Sequence, residues 1–473
     1  MFDLLIKNAI VIDGTASHRK KLDLAVIGER ITEVKETITA NAKEVIDAQG
    51  LIVCPGFIDA HTHDDRLLLS NPQMDPKVSQ GVTTVVGGNC GVSLAPLKNI
   101  DPPVPLNLLG GQEWYRFNSV KEYREELEIA GIATNCAMLV GHSTLRTRIM
   151  NDLTQAATES EIDNMKETLV SAMEDGCIGM STGLAYPAAM AAPTSEVVAL
   201  AKNLKVLNGI YATHMRDEGE FLLEAVEETL SIGEQAEVPV IISHHKTVMK
   251  KHWGKTKRTL EMINKARKNQ MVHFDVYPYI ASSSVLIKEF IDTPDTVKVT
   301  WSESCPEMNG KYLHEVMQLW DCDIDMAVEK LMPAGAIYFE IDEMEMQNLL
   351  RQPQTMIGSD GLPHDKMPHP RLWGTFPRVV GYYARELGLF SMEQAIHQMT
   401  GLTASVFGLD GRGVIKIGNY ADLVVFDSDA ILDIADFDDP IRPSAGIHYV
   451  LVNGEQVWNK QGVTDNRPGR WLK

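Results

Sequence analysis

Eight short apolar runs recur along the middle of the chain, each closing on glycine or polar residues. They are FIDAHTH (57–63), TTVVGGN (83–89), NCAMLVGH (135–142), GCIGMST (176–182), IYATHMR (210–216), VPVIISHHK (238–246), VHFDVYPY (272–279) and TMIGSDG (355–361). Helical segments such as ESEIDNMKETLVSAMEDG and EGEFLLEAVEETLSIGEQAE lie between several of them. Strand–helix alternation requires a parallel sheet with crossover helices. Eight repeats over residues 55–410 predict an α/β fold, a (β/α)8 TIM barrel, whose site lies where the strands end. One spacing is anomalous. About seventy-five residues separate the seventh and eighth runs. That is too long for one crossover, so residues 285–348 are expected to form an inserted subdomain between strands 7 and 8. It would serve as a lid or as peripheral decoration, and the sequence favours neither.

The two ends have a different texture. LLIKNAIVIDG, LDLAVIGERITEV and EVIDAQGLIVCPG at one end, and GVIKIGNYADLVVFD and GIHYVLVNGEQVWNKQGV at the other, read as strands separated by turns. They predict a small β-sandwich domain formed from both termini, residues 1–54 plus 411–473. The formal net charge of −20 repels nucleic acid and anionic membranes, which leaves a small-molecule substrate as the expected partner. Six dispersed cysteines without a CxxC pair suit reduced thiols. With no signal-type leader and no membrane-length apolar stretch, the expectation is a soluble cytoplasmic protein.

The polar residues at the run ends carry the chemistry. In a strand, residues two apart share a face, so His61, His63 and Asp59 would point together. An isolated HxH pair says little, because such pairs also arise on exposed strand ends. Here Cys90 follows the second run, His214 closes the fifth, His244 and His245 the sixth, and Asp360 the eighth. Structural histidines would not gather repeatedly at one rim. Parity sends His244 and Lys246 inward and His245 toward the helices. Imidazoles with one thiolate and one carboxylate suit zinc, which activates water and polarises a carbonyl. Asp360 then moves the proton from water to leaving group. His142 reads as structural, and His364 and His369 fall in a Pro-rich loop.

These residues resemble the amidohydrolase superfamily. PGFIDAHTHDD, GVTTVVGGNCG, THMRDEG, SHHK, VYPY, GSDG and HPRLWGTFPRV together look like its D-aminoacylase branch, the N-acyl-D-amino-acid deacylases. Hydantoinase-like members carry a lysine on strand four, and GCIGMSTGLAYP has none. The resemblance implies that Cys90, His214 and His244 hold one tight zinc. It places His61, His63 and Asp360 around a second, weaker position that shares Cys90. It also implies that Lys246 pairs with the substrate α-carboxylate, with Tyr186, Tyr277 and Ser283 adding hydrogen bonds. Acidic substrates call for a further cation, and Arg371 and Arg378 are candidates.

The expected reaction is zinc-dependent hydrolysis of N-acyl-D-amino acids, with neutral or hydrophobic side chains favoured by the apolar SVLIKEFID stretch. Rival readings are an amidohydrolase acting on N-acyl-D-glutamate or aspartate, a D-dipeptide or another amide, and a metal-binding scaffold without catalysis. The scaffold reading fits poorly, because the whole candidate ligand set is present.

Overall fold

The run Phe57–Asp59 pairs with Val82–Gly87, and the ladder continues in parallel through Asn135–Gly141, Gly179–Gly183, Ile210–His214, Val240–Ile242 and Val272–Val276 to Thr355–Ile357. The Ala60 amide donates to the Ile357 carbonyl at 3.1 Å, joining the first strand to the last. This computed structural model describes all 473 residues. The eight runs are therefore the eight barrel strands, buried as parallel strands covered by helices must be. The helices form the outer layer. Glu159–Glu174 is representative: a capping box between Thr158 and Glu161 starts it, and Met165, Leu169, Ala172 and Met173 face inward. No helix is long and apolar enough to cross a membrane.

Two strands stop sooner than their sequence runs. The first ends at Asp59, short of both histidines. The side chain of Asp59 turns back to accept from the amides of Ser359 (2.7 Å) and His61 (3.3 Å), which ends the extended segment. The sixth ends at Ile242. Its histidines lie in the turn beyond, so they reach the rim by loop geometry rather than by strand parity.

The terminal segments form one nine-stranded sheet. It forks at Phe2–Val11: residues 2–7 pair with Ala42–Asp47 and residues 10–11 with Ile52–Pro55. Alternate residues such as Leu4, Ile6, Leu24, Val26, Leu423 and Val425 enclose a core of their own. The last few residues, assigned from sequence to this sheet, instead return to the barrel. Cys136 donates to the Arg470 carbonyl and accepts from the Leu472 amide. The tail thus covers the barrel end opposite the catalytic rim.

Between the seventh and eighth strands, Ser282–Val285, Val297–Ser302 and Ala334–Tyr338 form an antiparallel sheet. It packs on Leu313–Trp320 and Ile324–Leu331 around a separate core that includes Leu286, Val299, Val316 and Leu331. The sheet begins three residues before the expected boundary. Glu343–Leu350, which straddles the expected end of the insertion at residue 348, packs Met346, Leu349 and Leu350 into the main core.

Candidate metal and active site

Three loops bring the candidate ligands together under strain. Cys90 (φ 51°), His244 (φ 36°) and Asp360 (φ 49°) all have positive φ, which side chains with a Cβ seldom adopt and which clusters at functional sites. Backbone hydrogen bonds hold them. The amide of His244 donates to Asp275 Oδ1 at 2.9 Å, and that of Asp360 to the His61 carbonyl at 2.8 Å. Gly358 permits the second contact, because a Cβ there would lie 2.5 Å from the Cβ of His61.

Two groups result, joined at one sulfur. The ligand atoms of His61, His63, Cys90 and Asp360 lie within 4.8 Å of one another, and so do those of Cys90, His214 and His244. Cys90 Sγ is 3.3 Å from His61 Nε2 and 3.4 Å from His244 Nε2, and His214 Nδ1 is 2.9 Å from His244 Nε2. His63 Nε2 is 3.2 Å from Asp360 Oδ1. Burial opposes charge throughout, yet neighbouring groups outweigh it. His61 and His244 hold the Cys90 thiol well below its ordinary range. Arg371 and His63 do the same for the Asp360 carboxyl. His63 and His244 are raised to about 9 by their anionic neighbours. Anionic sulfur and carboxylate facing imidazole nitrogens form a donor set suited to a borderline-soft divalent cation such as zinc.

A cavity of about 350 Å³ opens from this cluster, lined by Tyr186, Lys246, Tyr277, Ser283 and Asp360 among others. Two donors of the lining have no protein partner, Tyr277 Oη and Ser283 Oγ, and behind them Nε and Nη1 of Arg371, which does not itself line the cavity, are also unpaired. Buried polar groups are seldom left unpaired, so these are positioned for a bound polar ligand. Arg371 is fully buried, spends Nη2 on Asp360 Oδ2 at 2.9 Å, and stacks over the Tyr277 ring at 4.5 Å. Tyr186 Oη is 3.1 Å from Ser284 Oγ.

Other candidates fall elsewhere. Asp59, expected beside the histidines, lies beneath them, paired to the fully buried Lys77 at 2.8 Å. Asp64 and Asp65, the two acids that follow His63, are buried: Asp64 lies 3.2 Å from Lys77, and Asp65 accepts from the Gly88 amide. His142 bonds to Glu196 at 3.0 Å, His245 to Thr259 at 2.7 Å, and His369 to the Ala281 carbonyl at 3.0 Å. Arg378 is committed to Asp433 and does not line the cavity, because Asp433 and the Pro278 carbonyl hold its guanidinium.

Two residues with a clear place here were not singled out from sequence. Glu218 contacts His244 Nδ1 at 3.0 Å and Lys246 Nζ at 2.6 Å. Asp275 holds the His244 amide and lies 3.5 Å from His61 Nδ1. Both lie inside quoted motifs, THMRDEG and VHFDVYPY, where an acid beside a candidate ligand was the available signal.

Comparison with known proteins identifies the family. The amidohydrolase family profile matches residues 44–275 and 313–458. The chain is 49% identical to the D-aminoacylase of Alcaligenes xylosoxydans xylosoxydans, covering 100% of this chain and 97% of that one. A crystal structure of D-aminoacylase superposes with a TM-score of 0.98 at 48% identity, each chain covered completely. The N-acyl-D-glutamate deacylase of Bordetella bronchiseptica, solved with zinc and a phosphonate mimic of the tetrahedral intermediate, superposes at 0.96 and 43% identity, covering 100% and 99%. The chain belongs to the amidohydrolase family.

Proposed function

We propose that this amidohydrolase is a zinc-dependent N-acyl-D-amino-acid deacylase that releases a carboxylate and a free D-amino acid, preferring neutral, hydrophobic side chains. One observation carries the reading: a cluster of thiolate, imidazoles and carboxylate opens onto a cavity whose Lys246 and unpartnered donors suit an α-carboxylate. Cys90, His214 and His244 would hold the tight zinc, with His61, His63 and Asp360 around a weaker second position. Bound zinc would supply Lewis acidity toward the acyl carbonyl and a lowered pKa for water.

The chain's own residues do the rest. Asp360, kept as a carboxylate by Arg371 and His63, takes the proton from the attacking water and delivers it to the departing amine. Lys246, Tyr277 and Ser283 orient the α-carboxylate, and Arg371 braces the Tyr277 ring and Asp360 from behind. Tyr186, whose ring lies 4.7 Å from that of His214, donates toward the scissile carbonyl. A carboxylate anchor, a fixed acyl group and a side-chain pocket give the three points that chirality needs.

The apolar wall of Leu108, Met190, Val248, Phe290 and Leu362 supports the side-chain preference. The relative from Bordetella bronchiseptica, named for N-acyl-D-glutamate, supports acidic substrates as the second reading. A panel of N-acetyl-D- and L-amino acids tests both. N-acetyl-D-methionine turned over well ahead of N-acetyl-D-glutamate and N-acetyl-L-methionine supports the proposal. A preference for D-glutamate transfers it to the second reading, and turnover of the L-series overturns it.

A further inference from the structure

Glu218 lies outside both ligand groups, yet it joins the group of Cys90, His214 and His244 to Lys246. It stands in the loop after the fifth strand, four residues past His214, and its side chain is only 9% exposed. Its two oxygens are divided. Oε1 lies 3.0 Å from His244 Nδ1, and Oε2 lies 2.6 Å from Lys246 Nζ. Lys246 Nζ is also 3.0 Å from His244 Nδ1, so ammonium, carboxylate and imidazole form a closed triangle.

This triangle responds in a definite direction when one corner changes. His244 presents Nε2 to Cys90 and His214, so Nδ1 faces away from the metal position; with Nε2 given to a metal, Nδ1 carries the proton and Glu218 accepts it. A carboxylate on that proton fixes the tautomer and makes the opposite nitrogen a better ligand. Lys246 opposes this twice: it shares the Glu218 charge, and it places a positive charge beside Nδ1. A substrate or product carboxylate at Lys246 draws the ammonium away from both. Glu218 then concentrates on His244.

We propose that Glu218 is a positioning residue that couples the two halves of the site: a carboxylate bound at Lys246 tightens the hold on zinc. Linkage makes the effect reciprocal, so bound zinc strengthens the carboxylate anchor to the same factor. The site therefore holds its metal best while occupied. This inference rests on the roles given above to His244 and Lys246.

The test uses the full-length zinc-loaded protein and competition with a colorimetric zinc chelator, read with and without D-methionine. L-methionine controls for chelation by the amino acid itself. In the wild type, D-methionine should raise the apparent zinc affinity about fivefold over the L-methionine control. Glu218→Gln should weaken zinc about tenfold and abolish that response, while KM for N-acetyl-D-methionine does not rise, because the competitor for Lys246 has been removed. A merely structural glutamate would lower thermal stability without removing the D-methionine response. Unchanged zinc affinity in Glu218→Gln overturns the proposal. So does a wild type in which D-methionine inhibits hydrolysis yet leaves zinc affinity untouched. If Glu218→Gln does not fold, the D- against L-methionine comparison in the wild type still decides. A wild type that ignores N-acetyl-D-methionine sinks the deacylase reading alone, and the zinc affinity of Glu218→Gln then decides the link to His244.

Discussion

Arg146 and Arg371 are both fully buried, and they are accounted for in opposite ways. Arg146, on the helix His142–Ile149, uses every guanidinium nitrogen: Nε on the Ala188 carbonyl (2.9 Å), Nη1 on Glu196 (2.6 Å), and Nη2 on the carbonyls of Leu153 (3.1 Å) and Gln155 (2.7 Å). Arg371 uses Nη2 alone, on Asp360 and the Ser283 carbonyl, and leaves Nε and Nη1 without partners. Burying a charge is costly, and structure normally recovers that cost by satisfying every donor. Arg146 follows this rule and acts as a strut in the outer layer. The rim around Arg371 leaves donors open beside a cavity, as a binding site must before its ligand arrives. In this pair of arginines, satisfaction rather than burial separates the structural charge from the one beside the site.

Four experiments put that contrast at risk. The largest effect is expected from Asp360→Asn, which keeps the shape of the rim and removes its proton carrier. Turnover of N-acetyl-D-methionine should fall about 10³-fold, with at least one zinc retained by metal analysis. Near-normal turnover would remove Asp360 from catalysis. Arg371→Lys should lower kcat/KM by about ten- to a hundredfold with a modest loss of thermal stability, since one ammonium replaces neither the fork nor the bond to Asp360. Arg146→Lys should do the reverse: a loss of about 3 kcal/mol in denaturant unfolding, with kcat of the folded enzyme unchanged. Equal effects of the two lysine substitutions on stability and activity would erase the distinction.

The smallest effect concerns Glu340. Burial raises its carboxyl to about 8, with Ser282 and Lys246 pulling the other way and Glu218 and Asp292 adding to the rise. The folded value lies above the unfolded one, so the stability tied to its proton is complete below about pH 4.3 and is lost progressively up to about pH 8. Melting temperatures of Glu340→Gln and wild type should therefore diverge from pH 5 to pH 8 in favour of the variant, then run parallel. A constant offset across that range would mean Glu340 is not held neutral.

Much of this is legible in residue order because a barrel strand leaves a local signature. A β-type run followed by a helical segment identifies each repeat wherever it folds, so all eight strands and the rim positions of Cys90, His214, His244 and Asp360 can be read directly. The separation of His244 from His245 is legible too, although a turn rather than strand alternation produces it. Asp59 is misplaced by strand parity because its partner, Lys77, lies on a different element and only folding brings the two together. Arg378 looks free for substrate because nothing local reveals Asp433, fifty-five residues away. The C-terminal tail looks like part of the terminal sheet because its return to Cys136 is a long-range pairing without a sequence pattern.

Residue order alone settles the architecture and the donor types, because periodicity and the chemistry of cysteine, histidine and aspartate are properties of short segments. Which charges are consumed and which are left open is settled by tertiary contacts. Glu218 comes between His244 and Lys246, Asp275 comes under His244, and Arg371 keeps two donors free, all through contacts between loops of different strands. Whether a buried charge is satisfied depends on every group within a few ångströms of it, and for a site built where eight separate strands end, those neighbours are set by closure of the barrel.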